Sequence, residues 1–217
     1  MRDLSPLEAR VLGVLVEKQH TVPDTYPLSL NALAAGCNQK TARDPVINAT
    51  EAEVMTAVDG LKRLSLVFEG AGSRVVRFEH NMARVYALPA PAVALLATLL
   101  LRGPQTAAEL RLHSERLYRF ADLSSVEAFL DELAAKDPPR VLKLPRAPGA
   151  REARWAHLLC GEVALPAVAA DGAEAAPSVA AGEIAALKAT LAQQADELAR
   201  LQQWAQRVAT ELGISPP

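Results

Sequence analysis

The chain has 217 residues, of which 50% are hydrophobic and only 4% aromatic, so its core must come mainly from Ala, Leu and Val. That supply favours packed helical layers over a β-sandwich filled with aromatic rings. The formal net charge of −2 at pH 7 excludes a uniformly basic, chromatin-type protein but is compatible with a local basic face.

Two features of the sequence predict a cytoplasmic protein without membrane contact. The cysteines, Cys37 and Cys160, are too few for a disulfide framework and are expected to be reduced thiols. The first residues lack the apolar segment of a signal peptide, and the longest uncharged apolar run, residues 90–101, is too short to cross a bilayer.

The first predicted domain, residues 1–89, begins with three helices. Ser-Pro-Leu-Glu at 5–8 is a capping box with proline at the first helical position, and a broad apolar face follows it. A short second helix is predicted over residues 28–35, with Gly36 as its stop. Thr-Glu-Ala-Glu at 50–53 is a second capping box, and apolar residues three and four apart continue it into a third helix.

Two short runs rich in β-branched and aromatic residues follow the third helix. They occupy residues 66–69 and 74–79 and flank a glycine-containing turn, a pattern typical of a β-hairpin. Three helices followed by a hairpin are typical of a winged helix, the helix-turn-helix variant with a two-stranded wing.

The same order of elements recurs over residues 90–161, which predicts a second winged-helix domain. The repeat lies in the order of the elements, because few residues are shared between the two halves. Three helices are predicted: the first over residues 92–101, the second from a capping box at 106–109, and the third from a cap at 124–127. Two strands are predicted after them, over residues 140–144 and 153–158.

The composition changes after residue 161. Residues 162–182 are mostly Ala, Gly, Pro and Val, with three acidic residues and no basic one, which predicts a flexible linker. Over residues 183–213 apolar positions recur at alternating spacings of three and four, which predicts a coiled-coil helix. The seam consists of Ile184, Leu187, Leu191, Gln194, Leu198, Leu201, Ala205, Val208 and Leu212.

A lone amphipathic helix after a linker would leave its apolar stripe in water, so it needs a partner. We expect a homodimeric coiled coil, and the alternative is a helix folded back on a winged-helix domain. The predicted fold class is therefore mainly α with small β-hairpins (α+β), with two tandem winged-helix domains and a C-terminal coiled-coil helix.

Several longer motifs also stand out between residues 5 and 161. They are Val-Glu-Lys-Gln at 16–19, Pro-Asp at 23–24, Tyr-Pro-Leu-Ser-Leu-Asn-Ala-Leu at 26–33, Cys-Asn-Gln-Lys-Thr at 37–41, Arg-Asp-Pro-Val at 43–46, Leu-Arg-Gly-Pro-Gln-Thr at 101–106 and Trp-Ala-His-Leu at 155–158. Together they resemble the YceH family, with Thr41 and Asp44 where Ser and Glu are common. The resemblance implies tandem winged-helix domains in a bacterial cytoplasmic protein, and it implies no activity.

The sequence carries no catalytic or metal-binding pattern, so we predict a protein that is not an enzyme and needs no metal or cofactor. The four histidines lack the spacing of zinc ligands. The glycines at 70–72 are better explained by a hairpin turn than by a phosphate-binding loop, and Cys37 by burial than by nucleophilic chemistry.

Duplex DNA is the predicted partner, because helix-turn-helix domains place a helix in the major groove while wings and loops contact phosphates. The densest basic stretch is the predicted second wing, residues 140–154, where only Glu152 opposes the positive charge. The candidate nucleic-acid-binding residues are Asn38, Gln39, Lys40, Arg43, Lys62, Arg63, Arg74, Arg77, Arg140, Lys143, Arg146, Arg151 and Arg154.

Acidic residues on both third helices favour a different partner. Glu51 and Glu53 open the third helix of the first domain, and Glu127, Asp131 and Glu132 lie on that of the second. Carboxylates repel the phosphates that a recognition helix must approach. A protein-binding scaffold that does not bind DNA is therefore the alternative, with the basic residues acting as solvated surface or in internal ion pairs.

Overall fold

The computed structural model describes residues 2–70, 75–146 and 149–163, which form a mixture of helices and small antiparallel sheets. About half of these residues are helical. None of the described helices combines the length and apolarity that crossing a bilayer requires. The predicted linker beyond residue 163 and the predicted coiled-coil helix at 183–213 lie outside the described residues.

The order of elements repeats, with three helices and then a hairpin in each half. The helices are α1 (Pro6–Thr21), α2 (Leu30–Cys37), α3 (Glu51–Arg63), α4 (Met82–Val85), α5 (Ala90–Arg102), α6 (Ala107–His113) and α7 (Leu123–Ala134), with a 3-10 turn at Pro23–Thr25. The strands are β1 (Leu28–Ser29), β2 (Val67–Gly70), β3 (Arg77–His80), β4 (Val141–Lys143) and β5 (Trp155–His157). β3 lies between β1 and β2 in one antiparallel sheet, while β4 and β5 form the other.

Capping boxes begin three of the helices, as predicted. The hydroxyl of Ser5 accepts a hydrogen bond from the backbone N–H of Glu8 at 3.2 Å, and the Glu8 carboxylate accepts one from Ser5 N–H at 2.7 Å. Each box satisfies N–H groups that a first helical turn leaves without an intrahelical partner. The same reciprocal pairs begin α3 and α6, in Thr50 with Glu53 and in Thr106 with Glu109.

The second helix begins and ends later than predicted. Leu28 belongs to β1, and Ser29 caps α2 by accepting from Ala32 N–H. Gly36 lies inside the helix rather than ending it. A Cβ at Gly36 would lie 2.6 Å from Cγ1 of Val14, so glycine permits the close packing of α2 on α1.

The cap of α7 also differs from the prediction. The helix begins at Leu123, because the carboxylate of Asp122 accepts from the backbone N–H of Ser125 at 2.8 Å. Ser124 lies in the first turn and donates its hydroxyl to the same carboxylate at 2.9 Å. Asp122, and not the predicted Ser124, is therefore the capping residue of α7.

The buried apolar side chains of both halves form one continuous core around α1 and α5. Residues 91–101 of α5 are all buried, which agrees with the lack of a polar face on this helix. A Cβ at Gly13 of α1 would lie 3.0 Å from Cδ2 of Leu101 and 3.2 Å from Cβ of Leu100. The two first helices therefore pack at close range, and the two halves share their core.

We predict that Gly13→Val lowers the free energy of unfolding by about 3 kcal/mol, because the new side chain would overlap Leu100 and Leu101. Urea unfolding followed by circular dichroism measures the loss. The matched control is His20→Val, which puts the same residue at an exposed position of α1 and should cost less than about 1 kcal/mol. Equal losses in the two variants would contradict the role assigned to Gly13.

Candidate nucleic-acid interface

The two predicted base-reading amides are engaged within the protein. The Asn38 side chain donates to the carbonyl and accepts from the N–H of Ala49, both at 2.8 Å. Oε1 of Gln39 accepts from the ammonium of Lys18 at 3.0 Å and from Nη2 of Arg43 at 2.6 Å. These bonds fix the loop between α2 and α3, so both amides serve the fold rather than a base edge.

Arg43 is a structural residue, which corrects its assignment as a phosphate contact. Its side chain is 0% exposed, and all five of its N–H groups have acceptors. Two of the acceptors are the carboxylate oxygens of Glu17, at 2.6 and 3.1 Å. The others are the carbonyl oxygens of Gly36 and Ala42 and the amide oxygen of Gln39. A guanidinium without a free donor has nothing to offer to a phosphate.

A second buried arginine holds the same loop. Arg10 of α1 donates to the carbonyl oxygen of Cys37 at 3.0 Å and to that of Pro45 at 2.6 Å. Cys37 itself is buried, which raises the pKa of its thiol to about 12 despite the nearby arginines. At neutral pH this thiol is protonated, which agrees with its assignment as a packed residue rather than a nucleophile.

The first hairpin, β2 and β3, offers little free positive charge within the described residues. Lys62 forms an ion pair with Glu69 of β2. Arg77 donates to the carbonyl oxygens of Thr25 at 3.1 Å and Pro27 at 2.8 Å. Of the remaining predicted residues in this half, Lys40 and Arg63 are exposed, and Arg74 lies outside the described residues.

The second hairpin, β4 and β5, and its connection keep exposed basic side chains. Lys143, Arg146 and Arg151 are all exposed. The Lys143 ammonium lies 5.3 Å from the centroid of the Trp155 ring. No hydrogen bond or ion pair to the described part of the chain engages Arg146 or Arg151. These guanidinium groups are free to contact an anion.

Two other predicted residues of this hairpin have partners in the protein. Arg154 donates to the carbonyl oxygen of Pro104 at 2.8 Å and to the carboxylate of Glu109 at 3.1 Å. The Arg140 guanidinium lies 4.8 Å from the centroid of the Tyr86 ring. Both contacts attach β4 and β5 to neighbouring elements, so these residues contribute less free charge than their neighbours.

Three arginines, one on α6 and two in the connection between α6 and α7, extend the basic surface of the second half and were not among the predicted site residues. Arg111, Arg116 and Arg119 are exposed, although Arg111 donates to the carbonyl oxygen of Ala121 at 3.0 Å, and Leu112 beside them is 69% exposed. A shallow groove of about 230 Å³ runs between α6 and this connection, lined in part by Arg111, Arg119 and Leu112. The signal available in the sequence was three arginines within nine residues, opposed only by Glu115.

The exposed faces of α3 and α7 are acidic, as the sequence indicated. Glu51, Glu53, Glu127, Asp131 and Glu132 are all exposed. Their negative charge opposes the approach of phosphates to either helix. Lys40, and Arg63 at the end of α3, are exposed too, but most of the free positive charge lies on the second hairpin and the α6–α7 connection.

We predict that Arg43→Met lowers the free energy of unfolding by about 3 kcal/mol, because it removes the buried guanidinium and leaves the half-buried carboxylate of Glu17 with Lys18 alone, at 3.2 Å. Arg43 and Lys18 hold the pKa of Glu17 below its ordinary value, although burial alone would raise it. Chemical denaturation measures the change, with Lys40→Met at an exposed position as the control. If both variants lose less than about 0.5 kcal/mol, Arg43 does not stabilise the loop.

We expect His157 in β5 to make the free energy of unfolding depend on pH. Nδ1 of its ring is buried without a hydrogen-bond partner among the described residues, and burial lowers the pKa of His157 to about 4. The unfolded chain, with a pKa near 6.5 at this residue, then binds more protons than the folded one between pH 6.5 and 4. The contribution of His157 to the free energy of unfolding is therefore fully present above pH 6.5, and it is lost as the pH falls from 6.5 to 4.

We predict that His157→Leu reduces the fall in unfolding free energy between pH 7 and pH 4 by on the order of 2 kcal/mol. Urea titrations across this range measure the profile, and His20→Leu removes an exposed imidazole as the control. Profiles of equal slope for wild type and His157→Leu would refute the prediction.

The chain has relatives among known bacterial proteins. Residues 4–150 match the family described as protein of unknown function, DUF480. A UPF0502 protein of Leptothrix cholodnii is 67% identical over 216 residues, which are 99% of this chain and 97% of that protein. UPF0502 proteins of Paraburkholderia xenovorans and Burkholderia multivorans are 69% and 66% identical over 214 residues, each covering 99% of this chain and 90% and 91% of the relative.

Proposed function

The chain belongs to the DUF480 (UPF0502) family, and we propose that it is a non-enzymatic cytoplasmic protein that binds duplex DNA through the basic surface of its second half. We name this surface the basic flank and define it by Lys143, Arg146, Arg151 and the three arginines at 111, 116 and 119. The observation that carries the proposal is the exposure of Arg146 and Arg151, with no partner in the described residues.

Each half is proposed to be a winged-helix domain, with boundaries at 1–89 and 90–161. The supporting observation is the twofold order of three helices and an antiparallel hairpin. The motifs that resemble the YceH family support the same plan. In winged helices the hairpin and adjacent loops contact the sugar-phosphate backbone, which is the role that a basic hairpin suits.

The acidic faces of α3 and α7 define how DNA is bound in this proposal. Because carboxylates line both third helices, neither helix is well suited to the major groove. Contacts from the basic flank would instead go to phosphates, so binding would depend little on base sequence and strongly on salt. The proposed role is that of a dimeric regulator of transcription, and its choice of DNA site would then rest on binding geometry and dimer formation rather than on extensive base readout.

The predicted coiled-coil helix at 183–213 supplies the homodimer in this proposal. Two linked copies would present two basic flanks to one duplex, which raises the apparent affinity without new contacts. Sedimentation of the full chain and of a chain ending at residue 161 tests this part on its own, since only the full chain should dimerise.

We predict that Arg146→Glu with Arg151→Glu weakens binding to a random-sequence duplex at least tenfold at 50 mM salt and lowers the salt slope by about 2. Each lost phosphate contact removes about one released counterion. Fluorescence anisotropy across a salt series measures both quantities. Lys40→Glu with Arg63→Glu, at two exposed positions of the first half, changes the net charge by the same amount and is the control, which should lose less affinity.

Unchanged affinity in Arg146→Glu with Arg151→Glu, with a native circular dichroism spectrum, would reject the basic flank as the binding surface. Equal losses in the control and in Arg146→Glu with Arg151→Glu would indicate a general charge effect rather than a site.

A protein-binding scaffold is the second candidate, favoured by the acidic faces of α3 and α7. Such faces suit a basic protein surface better than a polyanion. This function predicts no duplex binding even at 20 mM salt, where electrostatic attraction is strong. The same anisotropy series therefore separates the two candidates.

A further inference from the structure

A polar cleft of about 300 Å³ opens where the loop after α2 meets the end of α5 and the start of α6. Two of the motif segments, 43–46 and 101–106, contribute to its walls. Its polar side chains include Asp44, Arg102, Gln105, Glu109, His113 and Arg154. The cleft and the basic flank share none of their defining residues, so the inference below does not rest on DNA binding.

Most charges in the cleft walls are paired. Arg43 uses every N–H group, with Glu17 as its anionic partner, and Arg154 donates to Glu109 at 3.1 Å. Arg102 differs, because its half-buried guanidinium makes no hydrogen bond or ion pair to any described residue. It is the one guanidinium among the described cleft residues that remains available to a ligand.

The position of Arg102 favours an anionic ligand. Burial lowers the pKa of Arg102, Glu17 raises it and the charge of Arg43 lowers it again, so the guanidinium is poorly compensated where it lies. Asp44 also lines the cleft, but its carboxylate is exposed and forms no ion pair with Arg102. A planar guanidinium presents parallel N–H groups that match two oxygens of a phosphate or carboxylate.

His113 supplies a second contact, a hydrogen-bond acceptor at a known ring nitrogen. The Gln105 amide nitrogen donates to the carbonyl oxygens of Thr98 and Gly103, both at 3.3 Å, which orients its oxygen toward His113. That oxygen lies 2.5 Å from Nδ1 of His113, so the ring proton belongs on Nδ1. Nε2 is then the acceptor of the neutral ring, and no described residue binds it.

Burial and the charge of Arg102 lower the pKa of His113, while Glu109 raises it. Arg102 is therefore close enough to His113 to influence its protonation. A ligand placed between them must accept from Arg102 and share a proton with Nε2. A phosphate meets both demands, because its second pKa near 6 lets one oxygen carry a proton while others stay anionic. A carboxylate carries no proton at neutral pH, so it could contact Nε2 only if the imidazole itself took up a proton from solvent.

We propose that this cleft is a binding site for a phosphate group, held by the guanidinium of Arg102 and by Nε2 of His113. The group is either inorganic phosphate or the terminal phosphate of a small monoester. In the complex one proton lies between Nε2 and a phosphate oxygen, so the imidazole gains proton affinity when the group binds.

The experiment titrates the full-length protein with sodium phosphate at constant ionic strength and follows the His113 ring signals by NMR. We expect phosphate to raise the pKa of His113 toward its ordinary value near 6.5 and to raise the melting temperature by several degrees. Sodium acetate, at matched ionic strength, should do neither. Glycerol 3-phosphate in place of phosphate separates the two sources, since the site either accepts or excludes an esterified oxygen.

Arg102→Gln removes the charge and the paired donors, and it should abolish both effects. Arg84→Gln, at an exposed position of α4 outside the cleft and the basic flank, is the matched control and should keep them. Two results overturn the proposal: no phosphate-dependent change at His113 in the wild type, or equal changes in wild type and Arg102→Gln. An acetate effect as large as that of phosphate overturns the assignment of the ligand class. The wild-type titration decides the matter even if Arg102→Gln does not fold.

Discussion

Helices α1 and α5 meet at Gly13, where the absence of a side chain lets Leu100 and Leu101 reach the α1 backbone. The rest of the described structure depends on this contact, because both helices carry residues that organise other parts. α1 provides Arg10 and Glu17, which hold the loop after α2, while α5 ends at Arg102 in the polar cleft. A change in how the two helices pack would therefore move the loop and the cleft together.

The two halves have the same order of elements but use their arginines differently. In the first half Arg10 and Arg43 are buried and bind carbonyl oxygens or a carboxylate, so their charge stabilises the loop. In the second half Arg146 and Arg151 are exposed, and their charge faces solvent. A guanidinium can fill either role because it combines several donors with a long apolar stem. The number of arginines in the sequence therefore says little about the charge of the surface.

Local signals in the sequence predicted local structure well. The capping boxes beginning at Ser5, Thr50 and Thr106 and both hairpins lie where the sequence indicated, since the interactions that form them join residues close in the chain. The burial of Arg43 depends on Glu17, 26 residues away, and no periodic pattern encodes that pairing. β1 has only two residues and forms by pairing with β3, which lies about 50 residues later. The candidate site was therefore predicted as a set of charges, but which of them are free required the tertiary contacts.

The shared core affects how this gene can be cut and recombined. A protein fragment that stops at residue 89 would contain α1 without α5, and the surface around Gly13 would be exposed to solvent. A fragment that starts at residue 90 would expose the wholly apolar α5. Either product would tend to aggregate or be degraded. Neither half is therefore expected to fold on its own, and a gene fusion that preserves this protein must include both halves together.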